Sequence, residues 1–505
     1  MAGHCDAAAK KILWTKWGIS MINRLYVFIA MFTLLLLSAA ARADDQPNIL
    51  FAFADDWGWP HAGAYGDEVV KTPTFDRLAK EGALFHNAYV SSPSCTPSRG
   101  AVLTGQHFWR LEGAGNLWSV FPNKFDTYPE LLGKSGYFAS TRSKAWGPGR
   151  TEQKGRQLTG TSRGVDPLVN LLKNRPKGKP FCHWLGSSDP HRGYAKGSGE
   201  KSGMDLSKIK LFEHFPDSLE VRGDVADYYF EVQRFDKLVG DSIAALEEAG
   251  ELDNTIIVMS GDHGMPFPRC KSNNYDSGAR VPLVIRWPKK IKAGTVINDF
   301  VSLVDLAPTF YDAAGLEIPE NVSGTSLLPL LAGKDTRDRS YVVHGKERHV
   351  PGQEAPDKGG YPTRALRTHD FLYLHNFRAD RWPAGTPNYE KAALPGAWLA
   401  DCDNGPTKSY IVENREKDDL HRKLYDLSFA KRPAEELYDL KQDPSQLVNV
   451  AADPAYAKTL SELKKKLFDE LEQTGDPRVT GKGPDFDKFP YLGGAPTFPG
   501  FRSKK

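Results

Sequence analysis

The stretch Asn48-Ile-Leu-Phe-Ala-Phe-Ala54, followed at once by Asp55-Asp56, decides how this 505-residue chain is read. A nearly unbroken apolar run of strand length suits a β-strand buried on both faces of a sheet. Comparable runs recur at 84–90, 137–141, 180–186, 255–260 and 281–286. Between them lie helical patterns: a short one from Thr72-Pro73 to near Gly82, another at 127–133, and a long one at 225–250. The long one places Tyr229, Val232, Phe235, Val239 and Ile243 on one face. Alternating strands and helices predict an α/β domain with a large, mostly parallel sheet covered by helices on both sides. In such sheets the functional groups gather just beyond the carboxyl ends of the strands.

Asp55 and Asp56 stand at such an end. Two adjacent carboxylates repel unless water or a cation relieves them, and alone they would read as a solvated turn. Ser260-Gly261-Asp262-His263-Gly264 follows another buried strand, however, so Asp262 is expected at the same edge. Carboxylates converging from two strand ends suit a hard divalent cation with oxygen ligands. His263 fits calcium less naturally, because imidazole prefers softer metals.

The ends of the chain read differently. Lys10, Lys11, Lys16 and Arg24 precede an apolar run at 25–37 that closes in Ser38-Ala39-Ala40-Ala41-Arg42-Ala43. A basic start, a short apolar core and small residues at an A-x-A site describe a secretory signal peptide over 1–43. An uncleaved anchor is the alternative, although the run is short for a membrane span; Met21 is an alternative start, since the arrangement from Met21 onward is complete by itself. Residues 1–43 carry a net charge of +4 against +3 for the whole chain, which leaves −1 for the remainder. A near-neutral exported protein, periplasmic or secreted, offers no general basic field, so nucleic-acid binding is disfavoured and an anionic ligand must be held by a local cluster. Besides Cys5, the cysteines are Cys95, Cys182, Cys270 and Cys402, too few and too scattered for a disulfide framework. The catalytic domain is assigned to 44–335. At 336–505 the strand-like segments become short (340–343, 371–376 and 436–440), loops lengthen, and an amphipathic helix spans 456–472. A smaller subdomain with a short antiparallel sheet and a terminal helix is expected. The Gly-, Ser- and Lys-rich stretch 193–203 reads as a surface loop.

Ser94-Cys95-Thr96-Pro97-Ser98-Arg99-Gly100, with Leu103-Thr104-Gly105 close behind, carries the chemistry. Here the chain resembles the type I sulfatases, whose signature is Cys-x-Pro-Ser-Arg with Leu-Thr-Gly a few residues on. The resemblance runs from Asn48 to about Pro477. It implies an alkaline-phosphatase-like sandwich, a calcium ion (magnesium as the alternative) and oxidation of Cys95 to formylglycine by a formylglycine-generating or anaerobic sulfatase-maturating enzyme. Hydrated formylglycine carries two hydroxyls on one carbon: one attacks sulfur, and the other expels sulfate afterwards. The resemblance assigns Asp55, Asp56, Cys95, Asp262 and His263 to the metal and Cys95, Arg99, Lys144, His191 and Lys271 to catalysis. Lys271 opens a run to Pro282 that looks like the family's Lys-x4-Glu-Gly-x-Arg-Val-Pro, with Asp276 in the Glu place. His191, in Asp189-Pro190-His191, matches the histidine that protonates the leaving group.

One position departs. Where the family has Gly-Lys-x-His, this chain has Ser143-Lys144-Ala145-Trp146. The histidine that takes a proton from the hydrate is Trp146 here, with His107 and His61 as candidate substitutes. Runs at 188–192, 264–268 and 361–368 look like the heparan N-sulfatases (sulfamidases), making N-sulfated glucosamine of heparin or heparan sulfate the lead substrate. The alternatives are an O-sulfatase on another glycan, a phosphatase or phosphonate ester hydrolase, and a non-catalytic binder of sulfated glycans. Trp57, Trp59, Trp109 and Trp118 are candidates to stack on a sugar or to fill the core.

Overall fold

Strand β1 (Asn48–Ala54) runs through the middle of an eight-stranded sheet with all of its residues buried. The computed structural model describes residues 46–160, 162–163, 168–483 and 485–502; the expected leader at 1–43 lies outside the described residues. Side chains of β1 alternate. Ile49, Phe51 and Phe53 enter one apolar core, and Leu50, Ala52 and Ala54 enter the other. That is the period of two imposed by a strand, and a strand covered on both faces has no polar face to show.

The other strands of the sheet are β2 (Ala83–Tyr89), β4 (Phe138–Arg142), β6 (Ser162–Arg163), β7 (Phe181–Gly186), β8 (Thr255–Gly261), β9 (Leu283–Arg286) and β10 (Thr295–Ser302). Strands β3 (Ser119–Phe121) and β5 (Gly149–Thr151) form a separate parallel pair. Across the sheet the order is β10-β2-β9-β8-β1-β7-β4-β6. Strand β9 is antiparallel to both neighbours, and the remaining pairings are parallel. Helices cover both faces, Pro73–Glu81 and Leu219–Glu248 on one and Cys95–Thr104, Tyr128–Lys134 and Leu306–Ala313 on the other.

Two departures from the sequence reading have local causes. The long helix starts at Leu219, not Val225, because Ser218 caps it through the Val221 N–H at 3.3 Å. Leu219 itself is 78% exposed, so apolar periodicity could not mark this first turn. Strand β10 was not foreseen: it lies on the sheet edge, Val296 is exposed, and a register shift between Ile297 and Phe300 breaks its alternation. The stretch 193–203 lies at the surface, with all of its residues but Gly199 exposed or half-buried. Its helical turn Ser198–Lys201 is clasped by Asp227 of the long helix, whose carboxylate accepts from the Gly197 and Gly199 N–H groups at 2.9 Å.

Strands β11 (Tyr341–Lys346), β12 (Thr363–Thr368), β13 (Phe371–Asn376) and β14 (Glu435–Asp439) form a four-stranded antiparallel sheet. Leu467 and Leu471 of the helix Ala457–Gln473 pack on Leu366, Tyr373 and Leu437. Within β12, Arg364 is fully buried and pairs with Asp476 and Glu347, while Arg367 pairs with Asp276. These two residues of the 361–368 run therefore serve the architecture.

Candidate active site and metal centre

The parallel strands deliver their carboxyl ends to one edge, and there the chemistry-bearing residues meet. Strand β1 ends in Asp55 and Asp56, β8 in Asp262 and His263, β4 leads to Lys144, and β7 leads to His191. Strand β9, being antiparallel, begins at this same edge, so the segment before it stays there and brings in Lys271. After β2 the chain turns into the helix Cys95–Thr104, all of whose residues are buried. Cys95 thus faces the strand ends instead of solvent.

Ligand atoms of Asp55, Cys95, Asp262 and His263 lie within 4.8 Å of one another. His263 Nε2 is 3.2 Å from Cys95 Sγ, 3.2 Å from Asp56 Oδ1 and 3.6 Å from Asp262 Oδ1. Its Nδ1 lies 3.0 Å from the Gly264 carbonyl, and an N–H donated there leaves the Nε2 lone pair aimed at the cluster. Asp56 Oδ1 is buried without a hydrogen-bond partner, and Asp56 sits at φ +71°, a left-handed conformation that a non-glycine residue adopts at a cost. Converging carboxylates, one of them with an oxygen left unpartnered, beside a correctly oriented imidazole form a donor set that fits a divalent cation.

Cations of the protein surround this cluster. Arg99 is completely buried; its Nε donates to Asp262 Oδ2 at 2.8 Å, Nη2 to the Ala54 carbonyl at 3.1 Å, and Nη1 to the carbonyls of Lys144 and Ala145 at 3.2 and 3.1 Å. Lys144 Nζ is 2.5 Å from Asp55 Oδ2. The loop that carries it crosses the end of β7 at Gly186, where a Cβ would lie 1.9 Å from the Lys144 carbonyl oxygen. Lys271 Nζ bridges Asp56 Oδ2 at 3.0 Å and Asp403 Oδ2 at 2.9 Å. His191 Nε2 stands 3.9 Å from each of the same two carboxylates, with Nδ1 2.6 Å from the Arg192 carbonyl.

The two neighbouring aspartates end up electrostatically distinct. Burial alone would raise Asp55, yet Lys144, His191, Arg99 and Lys271 together hold its carboxyl well below the usual range. For Asp56, burial outweighs Lys271, His191 and His263, and the carboxyl is raised. Burial also pushes the Cys95 thiol well up; Lys144 and Lys271 work against this, while Asp55 and Asp262 add to it. An unmodified Cys95 is therefore a protonated and weak nucleophile.

A cavity of about 620 Å³ opens over Cys95 and is lined by Lys144, His191, Lys271, Trp118 and Tyr491 among others. Of the tryptophans considered from sequence, Trp118 lines it. Trp57 and Trp109 are core residues, and Trp59 carries Arg280 on its ring at 3.6 Å, outside the cavity. Asp403 and His349 also line it and were not anticipated. Both sit in irregular segments far along the chain, with no strand end or motif to flag them. His349 Nδ1 is 2.8 Å from Ser94 Oγ, directly before Cys95.

The two histidines proposed to replace the missing base are elsewhere. His107 stacks on Trp109 at 4.2 Å and approaches Ser91 Oγ, on the side of the four-stranded sheet. His61 lies beside Tyr229 and Asp67 in the core beneath the long helix. Apolar stacking and local hydroxyl partners hold both, and neither lines the cavity. Trp146 packs its ring against Phe121 at 5.3 Å, and its Nε1 has no hydrogen-bond partner.

Comparison with known proteins agrees with this geometry. The chain is 30% identical to human N-sulphoglucosamine sulphohydrolase over 499 residues, covering 88% of this chain and 94% of the relative. It is 29% identical to an ulvan-active sulfatase of Formosa agariphila over 472 residues, covering 89% and 86%. The solved structure of BT4656 with its substrate D-glucosamine-2-N,6-O-disulfate shares the fold, with a TM-score of 0.59, 23% identity and coverage of 87% and 100%. The family profile described as Sulfatase matches residues 47–316. This chain, with its strand-end carboxylates, buried Cys95 and flanking lysines, belongs to the sulfatase family and is a hydrolase of that family.

Proposed function

We propose that this sulfatase is exported, uses Cys95 oxidised to formylglycine as its nucleophile, and removes the N-sulfate of glucosamine in heparin or heparan sulfate. The observation that carries the reading is the meeting of Cys95 with clustered carboxylates and His263, under one cavity that Cys95 lines together with Asp55, Lys144 and Lys271. Hydrated formylglycine would supply two hydroxyls on one carbon, and Asp55, Asp56, Asp262 and His263 would hold a divalent cation, whose charge would make a hydroxyl more acidic and attract a sulfate oxygen.

The chain's own residues do the rest. Lys144 and Lys271 reach the site from opposite aspartates and are assigned to hold sulfate oxygens by charge-assisted hydrogen bonds. His191 keeps Nδ1 on a backbone carbonyl, so Nε2 is the atom assigned to protonate the departing amine. Arg99, sealed from the cavity, neutralises Asp262 and Asp55 and holds the strand ends together. Ser94 makes no side-chain cap on the Cys95–Thr104 helix, which leaves its first-turn N–H groups directed at an anion. Cys95 is only 2% exposed, which favours a maturating enzyme acting on the unfolded chain, before or during export. No helix among the described residues is long and apolar enough to cross a membrane.

We assign calcium to the centre, with magnesium as the alternative, because carboxylate oxygens dominate the donor set. Chelation with EDTA is expected to abolish sulfate release and to lower stability by about 2–4 kcal/mol, and added calcium to restore both. Unchanged activity and melting after exhaustive chelation would contradict a metal centre.

The identity to the human N-sulphoglucosamine sulphohydrolase supports the N-sulfated substrate. The ulvan-active relative, equally close, favours a second reading as an O-sulfatase on another glycan. Sulfate release from matched N-sulfated and O-sulfated glucosamine saccharides separates them. Release from the N-sulfated sugar alone is the expected result, and release from the O-sulfated sugar alone would keep the mechanism and discard the substrate.

A further inference from the structure

Trp146 leaves an unfilled chemical role. If residue 95 acts as a hydrated aldehyde, one of its hydroxyls must give up a proton when sulfate departs. An indole donates a hydrogen bond but accepts no proton at nitrogen. Trp146 lines the cavity and packs beside the Cys95 helix, where a Cβ on Gly100 would lie 3.4 Å from its Nε1.

Among the described residues, the histidines at the cavity or its metal cluster are His191, His263 and His349. His263 is committed to the cation ligands, and His191 to the leaving-group side beside Lys271 and Asp403. His349 remains. It is 4% exposed and reaches the residue next to Cys95, with Nδ1 2.8 Å from Ser94 Oγ. The backbone on either side is pinned. The Arg348 N–H donates to Asn116 Oδ1 at 3.0 Å and the Val350 N–H to Asp401 Oδ1 at 2.9 Å, so the ring has little freedom. With Nδ1–H donated to the serine hydroxyl, the lone pair is on Nε2. Burial pushes His349 down to about 3, with Lys271 and Lys346 acting in the same direction and Asp401 and Asp403 opposing, so the resting ring is neutral.

We propose that His349 is the proton acceptor for residue 95, supplying from the 341–350 segment the function that Trp146 cannot. The inference rests on the formylglycine reading above. In the step concerned, a hydroxyl proton of residue 95 passes to His349 Nε2 and the freed O–H pair forms the C=O bond. The C–O bond to sulfate breaks, and sulfate leaves with that bond's electron pair. Water then adds to the aldehyde and the proton returns to solvent.

The test uses the full chain coexpressed with a formylglycine-generating enzyme, comparing wild type, His349→Ala, His349→Gln and His349→Ala combined with Trp146→His. Aldehyde content at residue 95 and sulfate retained on the protein are read by mass spectrometry, and kcat and KM by sulfate release. The expected result is unchanged aldehyde content, kcat lowered about 100-fold or more in both single variants, sulfate retained on the protein, and partial recovery in the double variant. Glutamine can still hydrogen-bond Ser94 but cannot take up the proton, so wild-type kcat in His349→Gln would overturn the proposal in favour of a packing role. Lost activity without retained sulfate would overturn it too. A wild-type protein that carries the aldehyde yet is no more active than Cys95→Ala would instead overturn the formylglycine reading itself.

Discussion

Replacing Cys95 with alanine is expected to abolish sulfate release, lowering kcat on the order of 10⁶-fold, as loss of a covalent nucleophile does. Its effect on stability should be small, about 1 kcal/mol or less, because one buried sulfur is deleted and no hydrogen-bond network is carried by it. The thiol sits beside His263 Nε2 and Asp55 Oδ1 at 3.2 and 3.6 Å, and the aspartate retains Lys144 and Arg99 as partners when the sulfur is gone. Ion chromatography of released sulfate alongside thermal melting reads both arms. Full activity in Cys95→Ala would remove the nucleophile from the account.

Arg99→Ala should behave differently, losing stability and activity together. The guanidinium is fully buried and joins the ends of β1 and β8 to the loop of Lys144 through one carboxylate and three carbonyls. Its removal strands Asp262 as a buried carboxylate without its ion-pair partner, a change worth about 3–5 kcal/mol. Because the same atoms position Asp55, Asp262 and Lys144, kcat is expected to fall by at least about 100-fold. Arg99→Lys restores a charge but not the planar fork, and should recover only part of either loss. Denaturant melts and steady-state kinetics on the same samples check this. An Arg99→Ala protein as stable as wild type would show that the strand ends are held by something else.

How much of this was legible in the sequence follows from what kind of contact each residue makes. Asp55, Asp56, Asp262 and His263 directly follow buried strands, so the apolar runs that announced β1 and β8 also located them. The parallel sheet then guaranteed a shared edge. Lys271 was legible through its motif, and the structure supplies the reason it reaches the site, the reversed direction of β9. Asp403, His349, Trp118 and Tyr491 were hidden or undecided. They come from irregular segments whose placement depends on tertiary contacts such as Lys271–Asp403 and Ser94–His349, separated by more than a hundred residues. His107 and His61 show the converse hazard, since composition alone could not tell a stacked or core histidine from a base at the site. Burial of the Cys95 helix on every side also left no amphipathic stripe by which sequence could orient it.

The central claim is that an aldehyde made from Cys95 carries turnover, and preparations differing in their aldehyde content test it most directly. The fraction of residue 95 present as formylglycine, from peptide mass spectrometry, is set against the rate of sulfate release from an N-sulfated glucosamine saccharide. The account predicts a rate proportional to the aldehyde fraction and zero where that fraction is zero. Sulfate release from protein whose residue 95 is entirely cysteine, or none from fully converted protein across both N- and O-sulfated sugars, would contradict it.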